Sequence, residues 1–386
     1  MVRIEEIHLS ENELGKQVSG KVDGEPVWFR FPRWVPVMPR PEFFLPLALA
    51  EGMVRGEDVV IDERYPLSAR LASAIPEIVT VHCAWNQDDN RPVGIRAHTE
   101  VAEEHWDAVL CCFSGGIDSS FSFDRHRGEI SHLIVVMGFD ESTQGSAWEK
   151  LHARLKKAAA THGKGLIAVE TNLRQVFNAR RLSWNAAHGS VLAAIGVGLQ
   201  CRKLIIPASY DYNNLFPWGS HPLLDPLWAS ETTSVLHDGL GYTRCQKTLA
   251  LMNDQDLLDA IQVCWKHVDH NCGTCSKCVR TSLALHLLGG QSASLPAFDP
   301  RTVSVLRPNS MTSIPFVNDL ISLARRRGRG DIADTLIRYR RQCLFKHHSI
   351  EAARAVLGRR VKSIAAHFRP KSWHKQRTKI TGAMPF

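Results

Sequence analysis

No stretch of the 386-residue chain is apolar over the roughly 20 residues that a helix needs to cross a bilayer, so a membrane-spanning role is not expected. The first residues, MVRIEEIHLSENELGK, are charged and carry no apolar signal core, which makes a cytoplasmic protein the expectation. No internal repeat and no low-complexity tract breaks the chain. Two nucleotide signatures are also absent. The lysine of G-x-x-x-x-G-K-S/T and the spacing of G-x-G-x-x-G are both missing, which excludes the common phosphate-binding and dinucleotide folds.

The composition present is that of a globular protein with a sizeable core, 44% hydrophobic and 22% charged. The length suggests two or three domains. The ten cysteines are unevenly placed, four of them between residues 264 and 278. Clustered cysteines in a cytoplasmic chain point to metal or catalysis more than to disulfides. The charge is uneven as well. Residues 325–379 hold 17 Lys and Arg against 3 Asp and Glu, so the net +8 belongs to the C-terminal tail and the remainder is acidic.

Residues 1–105 read as a smaller, accessory α+β domain. VSGKVDGEPVWFRF predicts a hairpin turning at Asp23-Gly24. RWVPVMPRPEFF predicts an extended, irregular segment. FLPLALAEGM predicts a short helix ending near Gly52, EDVVIDE a strand, and LSARLASAIPEIVTVHCAW a helix followed by a strand. No catalytic constellation is visible there. The domain reads as scaffold, with substrate covering or homodimer formation as the alternative.

From residue 106 to about 298, short apolar runs alternate with helical patterns. AVLCCF, HLIVVMGF, GLIAVET and KLIIPAS read as strands, and AWEKLHARLKKAAATHG and HGSVLAAIGVGLQC as helices. This alternation predicts an α/β domain with a parallel sheet and helices on both faces. Ligands of such sheets bind at the carboxyl ends of the strands. Residues 299–386 are expected to form a helical, basic region.

CFSGGIDSS, residues 112–120, follows the first of these strands. A strand-to-helix turn exposes the N–H groups of the helix's first turn, and these favour an anion. Gly115 and Gly116 let phosphate oxygens approach the backbone. Ser114, Ser119 and Ser120 add hydroxyl donors. Asp118 can hold Mg²⁺ against phosphates or cap the helix. A tight packing turn is the plainer alternative.

SGGIDSS resembles the SGGxDSS/T loop of the ATP pyrophosphatase (PP-loop) superfamily, with its adenine nucleotide α-hydrolase-like fold. The resemblance implies ATP cleavage between the α- and β-phosphates, pyrophosphate held by the loop, and an adenylated substrate. It also implies that the backbone at Val136 and Met137 lies beside adenine.

CWKHVDHNCGTCSKCVRT places Cys264, Cys272, Cys275 and Cys278 together. Four soft ligands at this separation suit tetrahedral Zn²⁺. An iron–sulfur cluster, a redox pair, or His267 or His270 in place of Cys264 remain open. The spacing C-x7-C-x2-C-x2-C with CGxCxKCxRT is similar to the zinc knuckle of the 7-cyano-7-deazaguanine synthases. That family is a branch of the same superfamily, and it adenylates a deazaguanine carboxylate for attack by ammonia. The resemblance covers about residues 106–290. It implies a role for Arg280, which matches the family motif. Trp184-Asn185 stands where the family carries a substrate-facing Arg-Asn, so Asn185 matches and Trp184 does not. The family's YPDCR segment is replaced by ASYDYNNLFPWGSHPLLDPLWASE, so the substrate is open to change.

Within that long replacement loop, Asp211, His221, Asp225 and Glu231 are candidates to orient an amine or take its proton. Turn and cap roles are their alternative. Arg244 and Lys247, spaced i, i+3 on a predicted helix, can face one way and neutralise a leaving pyrophosphate. The tail interleaves basic and apolar residues and can hold nucleic acid or an acidic protein, or pack on the core.

The expected activity is therefore AMP-forming ligation with ATP and Mg²⁺. A carboxylic acid is adenylated and then attacked by a nitrogen nucleophile, giving an amide or nitrile, with a protein amine among the possible acceptors. The alternatives are tRNA thiolation through a reactive cysteine, which the basic tail would suit, and a non-catalytic ATP-binding scaffold.

Overall fold

A computed structural model describes residues 1–103, 105–139 and 145–357. Packing groups them into two units, residues 1–241 and 242–357.

In the first unit, β1 (Val2–Asn12), β2 (Gly15–Val22) and β3 (Glu25–Phe31) form an antiparallel meander. Asp23 and Gly24 turn the expected hairpin at φ +50° and +80°, the paired positive angles that a two-residue I′ turn requires. In β1 the inward alternation of Val2 and Ile4 skips at Glu6, φ +54°. The register shifts there, so Ile7 takes the next inward position.

Helix α1 (Leu45–Arg55) runs past Gly52 to a left-handed cap at Gly56, whose N–H returns to the Gly52 carbonyl. After β4 (Val59–Ile61) and β5 (Leu67–Ser68), α2 (Ala69–Trp85) remains helical where a change to strand was expected. Ile75, Ile78, Val79 and His82 are its buried face, and that 3–4-residue spacing outweighs the β-branched composition.

The short β6 (Ile95–Arg96) and β7 (Thr99–Glu100) lead to the alternating part. It runs β8 (Trp106–Cys112), α3 (Ile117–His126), β9 (His132–Met137), α4 (Ser146–Thr161), β10 (Gly165–Thr171), α5 (Leu173–Ala179), α6 (Trp184–Gly198), β11 (Cys201–Pro207) and β12 (Ser234–Asp238).

Ten strands make one sheet in the order β12-β11-β8-β9-β10-β3-β2-β1-β4-β6. It is parallel from β12 to β10, antiparallel through the meander, and parallel again from β1 to β6. The chain is thus an α/β protein with a mixed, largely parallel sheet. Residues from the expected accessory domain continue this sheet. Glu170 and Thr171 of β10 pair with Arg30 and Phe29 of β3, and Arg30 holds Glu170 at 2.9 Å.

Alternation divides the parallel strands between two faces. Leu110, Cys112, Ile134, Leu204 and Ile206 join a core with α1, α2 and α6. The intervening Val109, Cys111, Leu133 and Ile205 are equally buried and face the other side, where α3 and α4 pack on β8, β11 and β10.

The second unit holds α7 (Arg244–Leu251), α8 (Gln255–Asp259), α9 (Ser276–Leu288), α10 (Ile314–Arg326) and α11 (Gly330–Leu357). Val279, Leu283 and Leu287 of α9 pack with Leu320, Ile321 and Leu336 in a core of its own. The expected zinc segment therefore packs with the C-terminal helices. Among the described residues no helix is long and apolar enough to cross a membrane. The basic stretch from residue 358 onward lies outside the described residues.

Candidate functional site

The residues singled out in CFSGGIDSS sit at the carboxyl edge of the parallel sheet. The chain is buried from Ala108 of β8 through Phe113, then Gly115 turns it at φ +75° and Gly116 takes the N-cap position of α3. A side chain at Gly115 would be strained. Gly116 supplies no side-chain cap. Ser114 Oγ lies 3.4 Å from both the Gly116 amide and Ser119 Oγ, and Ser119 Oγ donates to the Gly116 carbonyl at 3.0 Å. Ser120 is buried, and Asp118 lies in the first turn. Val136 and Met137 end the neighbouring β9. The turn thus gathers backbone and hydroxyl donors at the positive end of a ten-residue helix, a setting for a phosphate-bearing anion.

A residue that the sequence reading missed anchors this helix. Asp238, buried at the end of β12, accepts from Ser122 Oγ at 2.8 Å and from His126 Nε2 at 2.9 Å.

On the opposite face of the sheet edge, the loop after β11 enters α6. Gly219 N–H donates to the Asn185 carbonyl at 2.8 Å, and Gly189 N–H donates to the Gly219 carbonyl at 3.0 Å. One loop peptide is thus inserted into the i→i−4 ladder of the helix. Asn185 serves it through its backbone. The insertion fixes Ser220 and His221 over a buried acid. Asp225, fully inaccessible, accepts from His237 Nδ1 at 2.6 Å, Ser220 Oγ at 2.8 Å and the His221 amide at 3.2 Å.

His221 and His237 line a recess with Ser209, Tyr210, Phe216 and Trp218. Burial holds His221 down at about 4, so it is neutral at neutral pH. Its Nδ1 accepts the Leu223 N–H at 3.1 Å, which leaves the proton on Nε2.

Of the loop candidates, then, the structure brings His221 and Asp225 together. Asp211 caps its own turn, accepting from Asn213 N at 2.9 Å and Asn214 Nδ2 at 2.8 Å. Glu231 accepts from Ser68 Oγ and Arg70 N, both at 2.7 Å, at the start of α2. Burial pushes its carboxyl up, but these donors outweigh it and the net direction is down. His237 was not singled out from the sequence. Its signal was the pair His237-Asp238 ending a short strand at the carboxyl edge of the parallel sheet.

In the second unit the sulfurs of Cys264, Cys272, Cys275 and Cys278 lie within 4.8 Å of one another. Bonds of about 2.3 Å from a tetrahedral zinc place sulfurs about 3.8 Å apart, and Cys264 Sγ and Cys275 Sγ are separated by 3.8 Å. The donor set fits zinc. Amides of His267, Thr274 and Cys278 donate to Cys264, Cys272 and Cys275 sulfurs at 3.4–3.5 Å, as thiolates require. Burial raises the Cys272 thiol, but donation from Thr274 outweighs it and the net direction is down. Asn271 Oδ1 accepts from Val263 and Cys264 amides at 2.9 and 3.0 Å, which holds the distant cysteine in reach. His267 and His270 stack on each other, ring centroids 4.4 Å apart.

Arg244 and Arg280 meet in a small recess with Thr248, Phe316 and Asp319, and Arg280 lies 3.9 Å over the Phe316 ring. Lys247 is buried in α7.

Comparison of the chain with protein-family models, with curated proteins and with solved structures finds no match.

Proposed function

We propose that the chain is an AMP-forming, ATP-dependent carbon–nitrogen ligase of the PP-loop type, most similar to the 7-cyano-7-deazaguanine synthases. The observation that carries this reading is the Ser114–Ser120 turn, a left-handed glycine and a helix start without a side-chain cap at the end of a buried parallel strand. Its backbone N–H groups and the hydroxyls of Ser114, Ser119 and Ser120 hold the β- and γ-phosphates of ATP. This leaves the α-phosphorus open to in-line attack by a substrate carboxylate. The carboxylate oxygen–phosphorus bond forms, the bond to pyrophosphate breaks, and the pyrophosphate remains at the turn. The acyl-adenylate then reacts with a nitrogen nucleophile and AMP leaves.

Asp118, in the first turn of α3, is the residue assigned to Mg²⁺, which supplies charge neutralisation between phosphates when bound. Zinc at the four cysteines is structural, since four thiolates leave no open position. The backbone of Val136 and Met137 is assigned to adenine. The acid is of the deazaguanine type or similar. The nitrogen donor is ammonia or an amine, which a protein can also supply.

The state of the other cysteines favours this reading over thiolation. Burial raises the thiols of Cys83, Cys111, Cys112, Cys245 and Cys343, and that of Cys201 to about 12. A sulfur carrier needs the reverse shift.

The test is mass spectrometry of the full chain incubated with ATP, 7-carboxy-7-deazaguanine and ammonium. AMP, pyrophosphate and an amide or nitrile are expected. ADP with inorganic phosphate would refute the proposal.

A further inference from the structure

We propose that the aromatic recess at the ends of β11 and β12 binds a primary ammonium group, and that His237, held by Asp225, takes the proton that turns it into the attacking amine. This rests on the amide-forming reading above and names the amine site for it.

Four observations converge on a small cation. First, the walls are aromatic. Tyr210 and Phe216 have ring centroids 4.7 Å apart, Phe216 and Trp218 5.7 Å, and Tyr210 and Trp218 6.3 Å. Such π-rich walls favour a cation over an anion of equal size. Second, none of the lining residues is Lys or Arg, so a phosphate or carboxylate finds no counter-charge among them. His221, neutral for the reason given above, adds no opposing positive charge. Third, the recess has room for about one water-sized molecule. That suits ammonium itself or the tip of an alkylammonium chain, and it excludes a branched or quaternary head. Fourth, the buried acid lies behind the wall. Asp225 is joined to the recess by His237 Nδ1 at 2.6 Å, and by Ser220 Oγ at 2.8 Å and the His221 amide at 3.2 Å.

The proton inventory follows from this hydrogen bond. A carboxylate only accepts, so His237 Nδ1 carries a hydrogen. In the neutral ring, Nε2 then holds the lone pair. An ammonium gives one proton to Nε2, and Asp225 stabilises the imidazolium formed. The freed amine lone pair forms the C–N bond to the acyl carbon. The C–O bond to AMP breaks, and the second amine proton leaves with the phosphate or to solvent. No oxidant or further reactant is needed.

Methylammonium is the probe. Saturation-transfer NMR on the full-length protein, with aromatic protons irradiated, should show saturable transfer to its methyl group. Ammonium should displace it, Trp218→Leu should weaken it at least severalfold, and tetramethylammonium should not reproduce it. In protein carrying ¹⁵N-histidine, methylammonium should move one Nε2 signal toward the imidazolium position, and His237→Asn, which keeps an N–H donor toward Asp225, should remove that signal. Amine-dependent AMP release should fall about 100-fold in His237→Asn relative to ATP–pyrophosphate exchange measured with 7-carboxy-7-deazaguanine. Absence of saturable methylammonium binding overturns the site. Equal loss of exchange and of release, or an unmoved Nε2 signal, overturns the role of His237. Methylammonium binding with the Nε2 shift, but with no exchange in any form of the protein, supports the site and removes adenylation of 7-carboxy-7-deazaguanine instead.

Discussion

Replacing Gly189 by alanine tests the inserted loop peptide on which the recess is built. A β-carbon at residue 189 would stand 2.3 Å from the Gly219 carbonyl oxygen and 2.4 Å from Ser220 Cα. Ordinary contact begins about 1 Å further out, and both obstacles are backbone, so no rotamer change relieves them. The loop must withdraw. Its withdrawal breaks the Gly189–Gly219 and Gly219–Asn185 hydrogen bonds, at 3.0 and 2.8 Å, each contributing about 1 kcal/mol. Strain that remains adds about 1–3 kcal/mol, and the better helix propensity of alanine returns at most about 1 kcal/mol. The net destabilisation is about 2–4 kcal/mol. For a unit of this size that lowers Tm by about 4–16 °C. Urea denaturation and a thermal scan of the full chain measure it, with Gly128→Ala as control, because nothing lies within 4 Å of a β-carbon there. The control should move stability by less than about 0.5 kcal/mol. If Gly189→Ala is as stable as the parent, the peptide is not inserted in α6 and the recess is not formed as described.

Further outcomes follow from the other sites. The purified chain should carry one zinc, measured by elemental mass spectrometry, and Cys275→Ser should lose it together with the cooperative unfolding of residues 242–357; full stability without metal would refute a structural zinc. Asp118→Ala should abolish pyrophosphate formation with Tm unchanged within about 2 °C, while an active variant would remove the Mg²⁺ role from Asp118. His82, buried and held down at about 4 by burial, makes the fold acid-sensitive. Its folded value lies below the unfolded one near 6.5, so the unfolded state binds the proton first and stability falls as pH drops from 6.5 toward 4. Between pH 7 and 5 the loss is about 2 kcal/mol. His82→Phe should flatten that part of a urea-midpoint against pH curve, and an unchanged slope would assign the acid sensitivity elsewhere.

The legible parts of this chain were those where local chemistry and tertiary demand coincide. Asp23-Gly24 required positive φ and nothing further. The parallel strands are buried on both sides, so Val109–Phe113 and Leu204–Ile206 read as continuous apolar runs. The four cysteines converge because their spacing already confines three of them to one turn. What escaped depends on distant pairing. β1 hides its alternation behind the bulge at Glu6, and its partners β2 and β4 flank it only after folding. The strand junction between residues 1–105 and the parallel sheet is two β3–β10 pairs, beside which the Asn172 side chain accepts the Trp28 amide at 3.0 Å. No local signal marks either. In the long loop, Asp211 and Glu231 looked the same as Asp225. Only burial separates them, because Asp225 alone of the three is sealed from solvent with an imidazole against it.

The last strand connects the two halves of the proposed chemistry. His237 and Asp238 are neighbours on β12 and so point to opposite faces of the sheet. His237 meets Asp225 behind the aromatic recess, and Asp238 holds Ser122 and His126 of the helix that begins at the glycine turn. Their placement depends on the pairing of Ile206 with His237 and of Pro207 with Asp238. A slip of one residue would exchange the two faces. The carboxylate would leave α3, the imidazole would leave Asp225, and the glycine turn and the aromatic recess would lose their anchors together. The five residues of β12 contribute little to the core, yet they set the register on which both sites depend.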